Sequence, residues 1–242
     1  GIGGDGIILV CPSKVADAKM KMYNLDGSEG KMCGNGIRCV GKFLYDHGMV
    51  DYKEKDEITI ETLSGIKSLK AYTTNGEVTS LRVDMGKAIL DPKEIPVAMN
   101  KDKIVNEPVT IGDKEYNITC VSMGNPHCVV FMDDIDNLDI EKIGPMFEND
   151  KLFPERVNTE FVTVLDDHTI KMRVWERGSG ETWACGTGAC AVAVAACENG
   201  FCKKGDDIKI KLKGGDLVIN YTDETVYMTG NAEKVFEGEI EV

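Results

Sequence analysis

An internal repeat is the feature that most constrains this sequence. Residues 33–36 read Cys-Gly-Asn-Gly and residues 185–188 read Cys-Gly-Thr-Gly. Subtracting 33 from 185 gives an offset of 152, and the flanks keep matching at that offset without gaps, so that Glu29 falls on Glu181. A period this long exceeds the roughly 20–50 residues of a solenoid unit. It indicates two related domains that each carry one copy of a local motif.

Each copy follows the same order of predicted elements. A strand, over residues 19–24 or 169–175, is followed by a Gly/Ser-rich turn and then by the Cys-Gly-x-Gly motif. A helix is predicted next, over residues 37–46 or 189–198, and a glycine lies where each helix should stop. The rest reads mainly as short strands without a strand–helix alternation, so the predicted class is α+β. Each motif is therefore expected at a helix N-terminus.

Charge and composition exclude several classes of partner. The net charge of −13 argues against nucleic acid or an anionic membrane as a partner. The longest strongly apolar stretch, residues 189–197, is too short to cross a bilayer. Nine cysteines without a CxxC pair, and only three histidines, do not indicate a disulfide framework or a metal site. We therefore expect a reduced, cytoplasmic protein that binds no metal.

The cysteines outside the two motifs are predicted to be structural. Three fall within the predicted helices and are expected to be packed, namely Cys39, Cys190 and Cys197; the others, Cys11, Cys120, Cys128 and Cys202, are expected in the core or at the surface. Residues 1–6 match Gly-x-Gly-x-x-Gly. Because no strand precedes that match and a strand-like run follows it, it is not interpreted as a dinucleotide site.

A cysteine at a glycine-rich helix start has a chemical use. The helix N-terminus presents unpaired N–H groups and partial positive charge, which stabilise a thiolate or a bound anion. Two such cysteines suit a racemase or epimerase, in which one base removes the Cα proton from one face and one acid returns a proton to the other. The N–H groups can stabilise charge that develops on the α-carboxylate. Such a site needs no cofactor.

The chain resembles the diaminopimelate epimerase family. The resemblance runs in order through the sequence and is carried by residues 24–29, 32–39, 122–128, 176–190 and 227–230. It implies two pseudo-symmetric domains, each a strand-rich, barrel-like sheet around a central helix, with the active site in the cleft between them. The implied domains are residues 1–84 with 231–242, and residues 85–230. Relative to the family pattern, the chain is expected to begin inside the first domain, without its first strands.

The resemblance also implies an activity and a set of site residues. The activity is the cofactor-independent interconversion of LL- and meso-diaminopimelate in the synthesis of lysine and peptidoglycan precursors, by an enzyme that forms homodimers. The residues that match the two catalytic thiols are Cys33 and Cys185. Those that match substrate-binding positions are Asn24, Gly34, Asn35, Asn125, Asn158, Glu176, Arg177, Gly186 and Thr187, and His127 matches a residue near the catalytic pair.

Other functions remain open at this point. Proline racemases use two cysteines in a similar architecture, but their motif has a histidine where this chain has Asn35. Phenazine-type isomerases share the fold and lack the paired cysteines. A thiol-based redox protein would oxidise the two cysteines reversibly, and a non-catalytic binding domain would keep the motifs only for packing.

Overall fold

The computed structural model describes residue 4 and residues 6–51 and 57–239 of the 242-residue chain. Most of the N-terminal glycine motif, residues 1–6, lies outside the described residues, as does the end of the predicted first domain, residues 240–242. The chain divides into two compact units, Gly1–Val83 with Thr229–Val242, and Asp84–Met228. The domain boundaries expected from the sequence differ from these by one or two residues.

The first unit combines short strands with one helix. Its elements are β1 (Gly6–Cys11), β2 (Ala18–Asn24), β3 (Glu29–Gly30), α1 (Gly34–Asp46), β4 (Ile58–Thr62), β5 (Gly65–Thr74) and β6 (Glu77–Asp84). The strand order is β1-β2-β4-β5-β6, with β3 paired to β2. The pair β2–β4 is parallel, and the other neighbours in this order are antiparallel.

The core of the first unit lies between α1 and the sheet. Leu69 and Leu81 of the sheet and Ile37 of the helix are fully buried. A methyl group at Gly41 would lie 2.5 Å from the Leu81 side chain, so glycine lets α1 approach the strands closely. Cys39 was expected to be packed, and this prediction is wrong, since Cys39 is exposed.

The second unit contains the remaining elements. They are β7 (Glu107–Ile111), β8 (Lys114–Ser122), β9 (Pro126–Phe131), α2 (Ile140–Glu148), β10 (Asn158–Asp166), β11 (Thr169–Glu176), β12 (Gly180–Thr182), α3 (Gly186–Glu198), β13 (Asp207–Leu212), β14 (Gly215–Tyr221) and β15 (Val226–Gly230). The strand order is β15-β14-β13-β11-β10-β9-β8-β7, with β12 paired to β11. The boundary between the two units falls within β15.

Helix α3 is the centre of the second unit. Its residues 188–196 are all buried, and α3 contacts β8, β9, β10, β13 and β14. The sequence explains this position, because a helix made of alanine, valine and cysteine on every side has no polar face to present to water. A second hydrophobic cluster includes Phe147 of α2 and Phe161 of β10. Among the described residues, no helix has the length and apolar character needed to span a bilayer.

The repeat seen in the sequence is also a repeat of structure. Helices α1 and α3 each have 13 residues, and their first residues, Gly34 and Gly186, keep the offset of the motif. In the first unit β2 pairs with the short β3, and in the second unit β11 pairs with the short β12. The register agrees as well, since Tyr23 pairs with Glu29 and Trp175 with Glu181. The prediction of an α+β fold is confirmed.

Candidate active site

Cys33 is the N-cap residue of α1. Its backbone is extended, with φ −133° and ψ 118°, and its Sγ atom accepts a hydrogen bond from the N–H of Gly36 at 3.3 Å. The Cys33 carbonyl accepts the N–H of Ile37 at 2.9 Å. The N–H groups of Gly34 and Asn35, in the same first turn, have no partner within the helix by its geometry. The half-buried thiol thus lies beside backbone donors that can hold an anion.

A buried arginine braces this first turn. The Arg38 guanidinium donates to the carbonyl of Gly34 at 3.1 Å, to Oδ1 of Asn35 at 3.1 Å and to the carbonyl of Asn231 at 3.2 Å. The planar guanidinium can satisfy several acceptors at fixed angles. Arg38 therefore fixes the orientation of the Asn35 amide next to Cys33. Arg38 was not predicted as a site residue, although it lies inside the matching segment 32–39.

Cys185 repeats this geometry at the start of α3. It is the N-cap residue, with φ −126° and ψ 109°, and its Sγ atom accepts the N–H of Gly188 at 3.4 Å. The Cys185 carbonyl accepts the N–H of Ala189 at 2.9 Å. Glycine is required at residue 188, because a methyl group there would lie 2.6 Å from Glu160 Oε1 and 3.2 Å from the Cys185 sulfur. The prediction that both motifs lie at helix N-termini is confirmed.

The surroundings of Cys185 favour its thiol form. Burial raises the pKa of Cys185 well above its ordinary value, and the negative charge of Glu176 acts in the same direction. Hydrogen bonds from the Thr187 hydroxyl and the Gly188 N–H oppose the shift. Cys185 therefore rests as a proton donor in this structure, and the N–H groups of the first turn are placed to stabilise its thiolate once the proton has left.

A chain of hydrogen bonds leads from Cys185 into the core. The Cys185 sulfur lies 3.6 Å from the Thr187 hydroxyl, which accepts a hydrogen bond from Nδ2 of Asn125 at 3.3 Å. Nε2 of His127 lies 3.1 Å from Oδ1 of Asn125, and Nδ1 of His127 lies 2.7 Å from Oε1 of Glu160. The structure thus connects four residues predicted for the site with Glu160, which was not predicted.

Glu160 had one sequence signal that could have revealed it. It is an acid that directly precedes Phe161 and Val162 in a predicted strand, where an apolar residue would be expected. At the repeat offset its counterpart is Ile8. His127 and Glu160 are separated by 33 residues, and only the parallel pairing of β9 with β10 brings them together.

Asn158 holds the backbone near Arg177. Its Nδ2 donates to the carbonyl of Pro126 at 3.0 Å, and its Oδ1 accepts the N–H of Arg177 at 3.0 Å. Arg177 is a half-buried residue, and its Nη1 donates to the carbonyl of Glu155 at 2.8 Å. Oε1 of Glu176 accepts the Thr182 hydroxyl at 2.5 Å. These residues form one neighbourhood at the end of β11.

The other predicted residues lie in the first unit. Asn24 is exposed at the end of β2, and its Nδ2 donates to the Ser28 hydroxyl at 3.0 Å. Ser28 in turn is held by Oδ1 of Asp26 at 2.9 Å through its N–H. The first unit therefore supplies Cys33, Gly34, Asn35 and Asn24, and the second unit supplies Cys185, Gly186, Thr187, Asn125, His127, Asn158, Glu176 and Arg177. In the described part of the chain, no group of three or more His, Cys, Asp or Glu side chains is arranged for a metal ion.

Solved structures share this fold. A probable proline racemase from Agrobacterium radiobacter K84 is similar with a TM-score of 0.70 at 17% identity, over 93% of this chain and 73% of that one. A PhzF-family phenazine biosynthesis protein from Bacillus anthracis is similar with a TM-score of 0.71 at 17% identity, over 98% of this chain and 85% of that one. The fold is therefore the one shared by proline racemases and PhzF-type proteins.

Sequence relatives narrow this class to one family. The family model described as diaminopimelate epimerase matches residues 1–90 and 119–235. The diaminopimelate epimerase of Agathobacter rectalis is 53% identical over 100% of this chain and 86% of its own length. That of Methanococcus maripaludis is 54% identical, with the same coverage. The chain belongs to the diaminopimelate epimerase family, and the predictions of that family and of an amino-acid epimerase are confirmed.

Proposed function

We propose that this chain interconverts LL- and meso-diaminopimelate by moving the Cα proton between the thiols of Cys33 and Cys185. One cysteine, as thiolate, takes the proton from one face of Cα, and the electron pair of the C–H bond spreads onto the α-carboxylate. The other cysteine, as thiol, gives its proton to the opposite face. The product then has inverted configuration, the two cysteines have exchanged protonation states, and the reverse reaction resets them.

The duplicated N-cap geometry is the observation that carries this proposal. A packing role would require neither cysteine to accept an N–H bond from the third residue after it, and here both do, at 3.3 and 3.4 Å. The same first turns offer the N–H groups of Gly34, Asn35, Gly186 and Thr187 to the carboxylate as its charge grows. Stabilisation at this point lowers the barrier to carbanion formation without an added electron sink.

The remaining predicted residues are assigned to substrate recognition. Diaminopimelate has a second carboxylate and a second ammonium group at its distal end. The Arg177 guanidinium suits that carboxylate, since its fork can donate two parallel hydrogen bonds. Glu176 and the amides of Asn24, Asn125 and Asn158 offer acceptors for ammonium groups. Asn158 supports this assignment by fixing the Arg177 backbone.

Further parts of the proposal concern the cellular setting. We assign the enzyme to the synthesis of lysine and of peptidoglycan precursors, in the cytoplasm, acting as a homodimer and without a cofactor. Nine free cysteines are consistent with a reducing compartment. Light scattering during size-exclusion chromatography would test the dimer, and a mass corresponding to one chain would contradict it.

The test of the reaction is proton NMR of LL-diaminopimelate in D₂O with reducing agent and no pyridoxal phosphate. The wild-type chain should remove the Cα–H signal and produce the meso isomer. Cys33→Ser and Cys185→Ser should each lower the turnover number by roughly 10²–10⁴-fold. The matched control is Cys39→Ser, since Cys39 is an exposed cysteine on the same helix as the first motif. Its turnover should equal that of the wild type.

Two outcomes would contradict the proposal. One is an unchanged Cα–H signal with the wild-type chain. The other is full turnover in either motif variant, because an enzyme that uses both thiols as acid and base cannot lose one of them without effect.

A further inference from the structure

A completely buried acid lies behind Cys185. Glu160 and His127 have no exposed side-chain surface, and Nδ1 of His127 lies 2.7 Å from Oε1 of Glu160. The other carboxyl oxygen, Oε2, has no hydrogen-bond partner among the described residues. A buried carboxylate oxygen without a partner is far more costly than the carbonyl oxygen of a neutral carboxyl group. The geometry therefore favours a neutral Glu160 whose O–H donates to Nδ1.

The charges around Glu160 agree with a neutral acid. Burial raises the pKa of Glu160 above its ordinary value, and the nearby Glu176 on β11 acts in the same direction. A protonated His127 on β9 would oppose the shift. The other titratable groups beside Glu160 are Cys185 at the start of α3 and Cys128 on β9.

A neutral Glu160 gives the hydrogen-bond chain one direction. If Nδ1 of His127 accepts, the neutral imidazole has its proton on Nε2, which then donates to Oδ1 of Asn125. The Asn125 amide is thereby oriented with Nδ2 toward the hydroxyl of Thr187. Since that oxygen already accepts, its own proton is free to point at the Cys185 sulfur, 3.6 Å away.

The repeat shows that packing alone does not require an acid here. At the same offset the first unit has Ile8, whose side chain approaches Gly36 just as Oε1 of Glu160 approaches Gly188. An apolar side chain thus fits against the first turn of the helix in one copy. The second copy has a buried polar group at the equivalent place, and this is the copy in which the hydrogen-bond chain exists.

We propose that Glu160 is a positioning residue, which fixes the Nε2-protonated form of His127 and so delivers a hydroxyl donor, through Asn125 and Thr187, to the sulfur of Cys185. This inference rests on the proposed function. The donor stabilises the Cys185 thiolate each time that thiol has released its proton to substrate. Glu160 itself does not touch the substrate and transfers no proton to it.

Two substitutions distinguish Glu160 as a hydrogen-bond donor to His127 from Glu160 as a required acidic group. Glu160→Gln keeps the shape and provides an N–H donor to Nδ1, so the turnover number should stay within about fivefold of wild type. Glu160→Ile copies the first unit and removes the donor, so the turnover number should fall by roughly 10- to 100-fold. An equal loss in both variants would overturn the proposal, because it would mean that the acid itself is needed.

A double-mutant cycle tests whether the effect passes along the chain. Thr187→Val removes the last donor. If Glu160 acts through it, adding Glu160→Ile to Thr187→Val should change the turnover number by less than about twofold. Fully multiplicative losses would overturn the proposal. The matched control is Thr159→Val, because Thr159 is a buried, unpartnered hydroxyl on the opposite face of the same strand. Its turnover number should be unchanged.

A measurement on the resting protein separates this inference from the proposed function. Imidazole ¹⁵N NMR should show His127 with its proton on Nε2 in the wild type and in Glu160→Gln, and a mixture of tautomers in Glu160→Ile. If the wild type fails to exchange the Cα proton of diaminopimelate, the proposed function fails, yet the tautomer still decides the role of Glu160. A His127 with its proton on Nδ1 in the wild type would refute it.

Discussion

At the scale of single residues, Arg38 stabilises the first motif. One buried guanidinium satisfies the carbonyls of Gly34 and Asn231 and the side chain of Asn35. The ammonium group of a lysine cannot reach three acceptors that lie in different directions. Arg38→Lys should therefore lower the free energy of unfolding by about 1–3 kcal/mol and raise KM, since the Asn35 amide is released.

Urea denaturation and the steady-state rate measure the two effects of Arg38→Lys. The matched control is Arg156→Lys, because 55% of the Arg156 side chain is exposed and it makes a single ion pair, with Glu148, at 3.1 Å. Because lysine keeps a positive charge opposite Glu148 on this exposed side chain, the control should change stability by less than about 1 kcal/mol. A loss of stability in the Arg38 variant no larger than in this control would contradict the bracing role.

The sequence predicted the placement of the two motif cysteines better than it predicted their surroundings. Both cysteines could be predicted because the repeat marks them and because an N-cap position is a local property. Glu160 could not, since its contact with His127 depends on the parallel pairing of two strands. The exposure of Cys39 could not be predicted from the sequence either. A 3.6-residue period predicts a helix but does not say how much of its circumference the core covers.

At the scale of elements, the helix starts differ from the prediction in an instructive way. Helices expected from residues 37 and 189 begin at Gly34 and Gly186. Glycine usually disfavours a helix, but here the preceding cysteine side chain accepts an N–H of the first turn and fixes the start. Helix α2 was not predicted, and it contains Gly144 and Pro145, two residues that normally indicate a helix end.

Gly144 offers a test of how closely α2 packs on the sheet. Replacing glycine by alanine inside a helix normally stabilises it by up to about 1 kcal/mol. Here a methyl group would overlap the Trp175 indole, which is anchored by a hydrogen bond from Nε1 to Oε2 of Glu148 at 2.7 Å. Gly144→Ala should instead lower the free energy of unfolding by about 1–3 kcal/mol.

Urea denaturation followed by tryptophan emission would measure the change. Lys142→Ala, on the exposed side of the same helix, is the control and should change stability by less than about 0.5 kcal/mol. A stabilised Gly144→Ala protein would mean that the indole moves aside and that α2 packs loosely.

At the scale of the whole molecule, buried thiols should make the fold sensitive to alkali. Burial raises the pKa of Cys197 to about 12 and that of Cys202 to about 11, from an ordinary 9.0. Burial also raises the pKa of Cys128 and of Cys185 well above that value. Each of these thiols keeps its proton in the folded state at a pH where the unfolded chain has lost it. Folding is thus favoured by the thiols below about pH 9, and this stabilisation is lost as the pH rises toward their folded pKa values.

The expected result is a steady fall in the free energy of unfolding above about pH 9, approaching 1.4 kcal/mol per pH unit for each fully buried thiol. The contribution of half-exposed Cys197 is smaller, because solvent screens it. Urea denaturation of the wild type and of a Cys197→Ala, Cys202→Ala double variant would show this. The two curves of stability against pH should run parallel from about pH 6 to 8, where every thiol is protonated in both states, and the variant should fall less steeply above about pH 9. Equal slopes there would mean that these two thiols ionise in the folded protein as easily as in the unfolded chain.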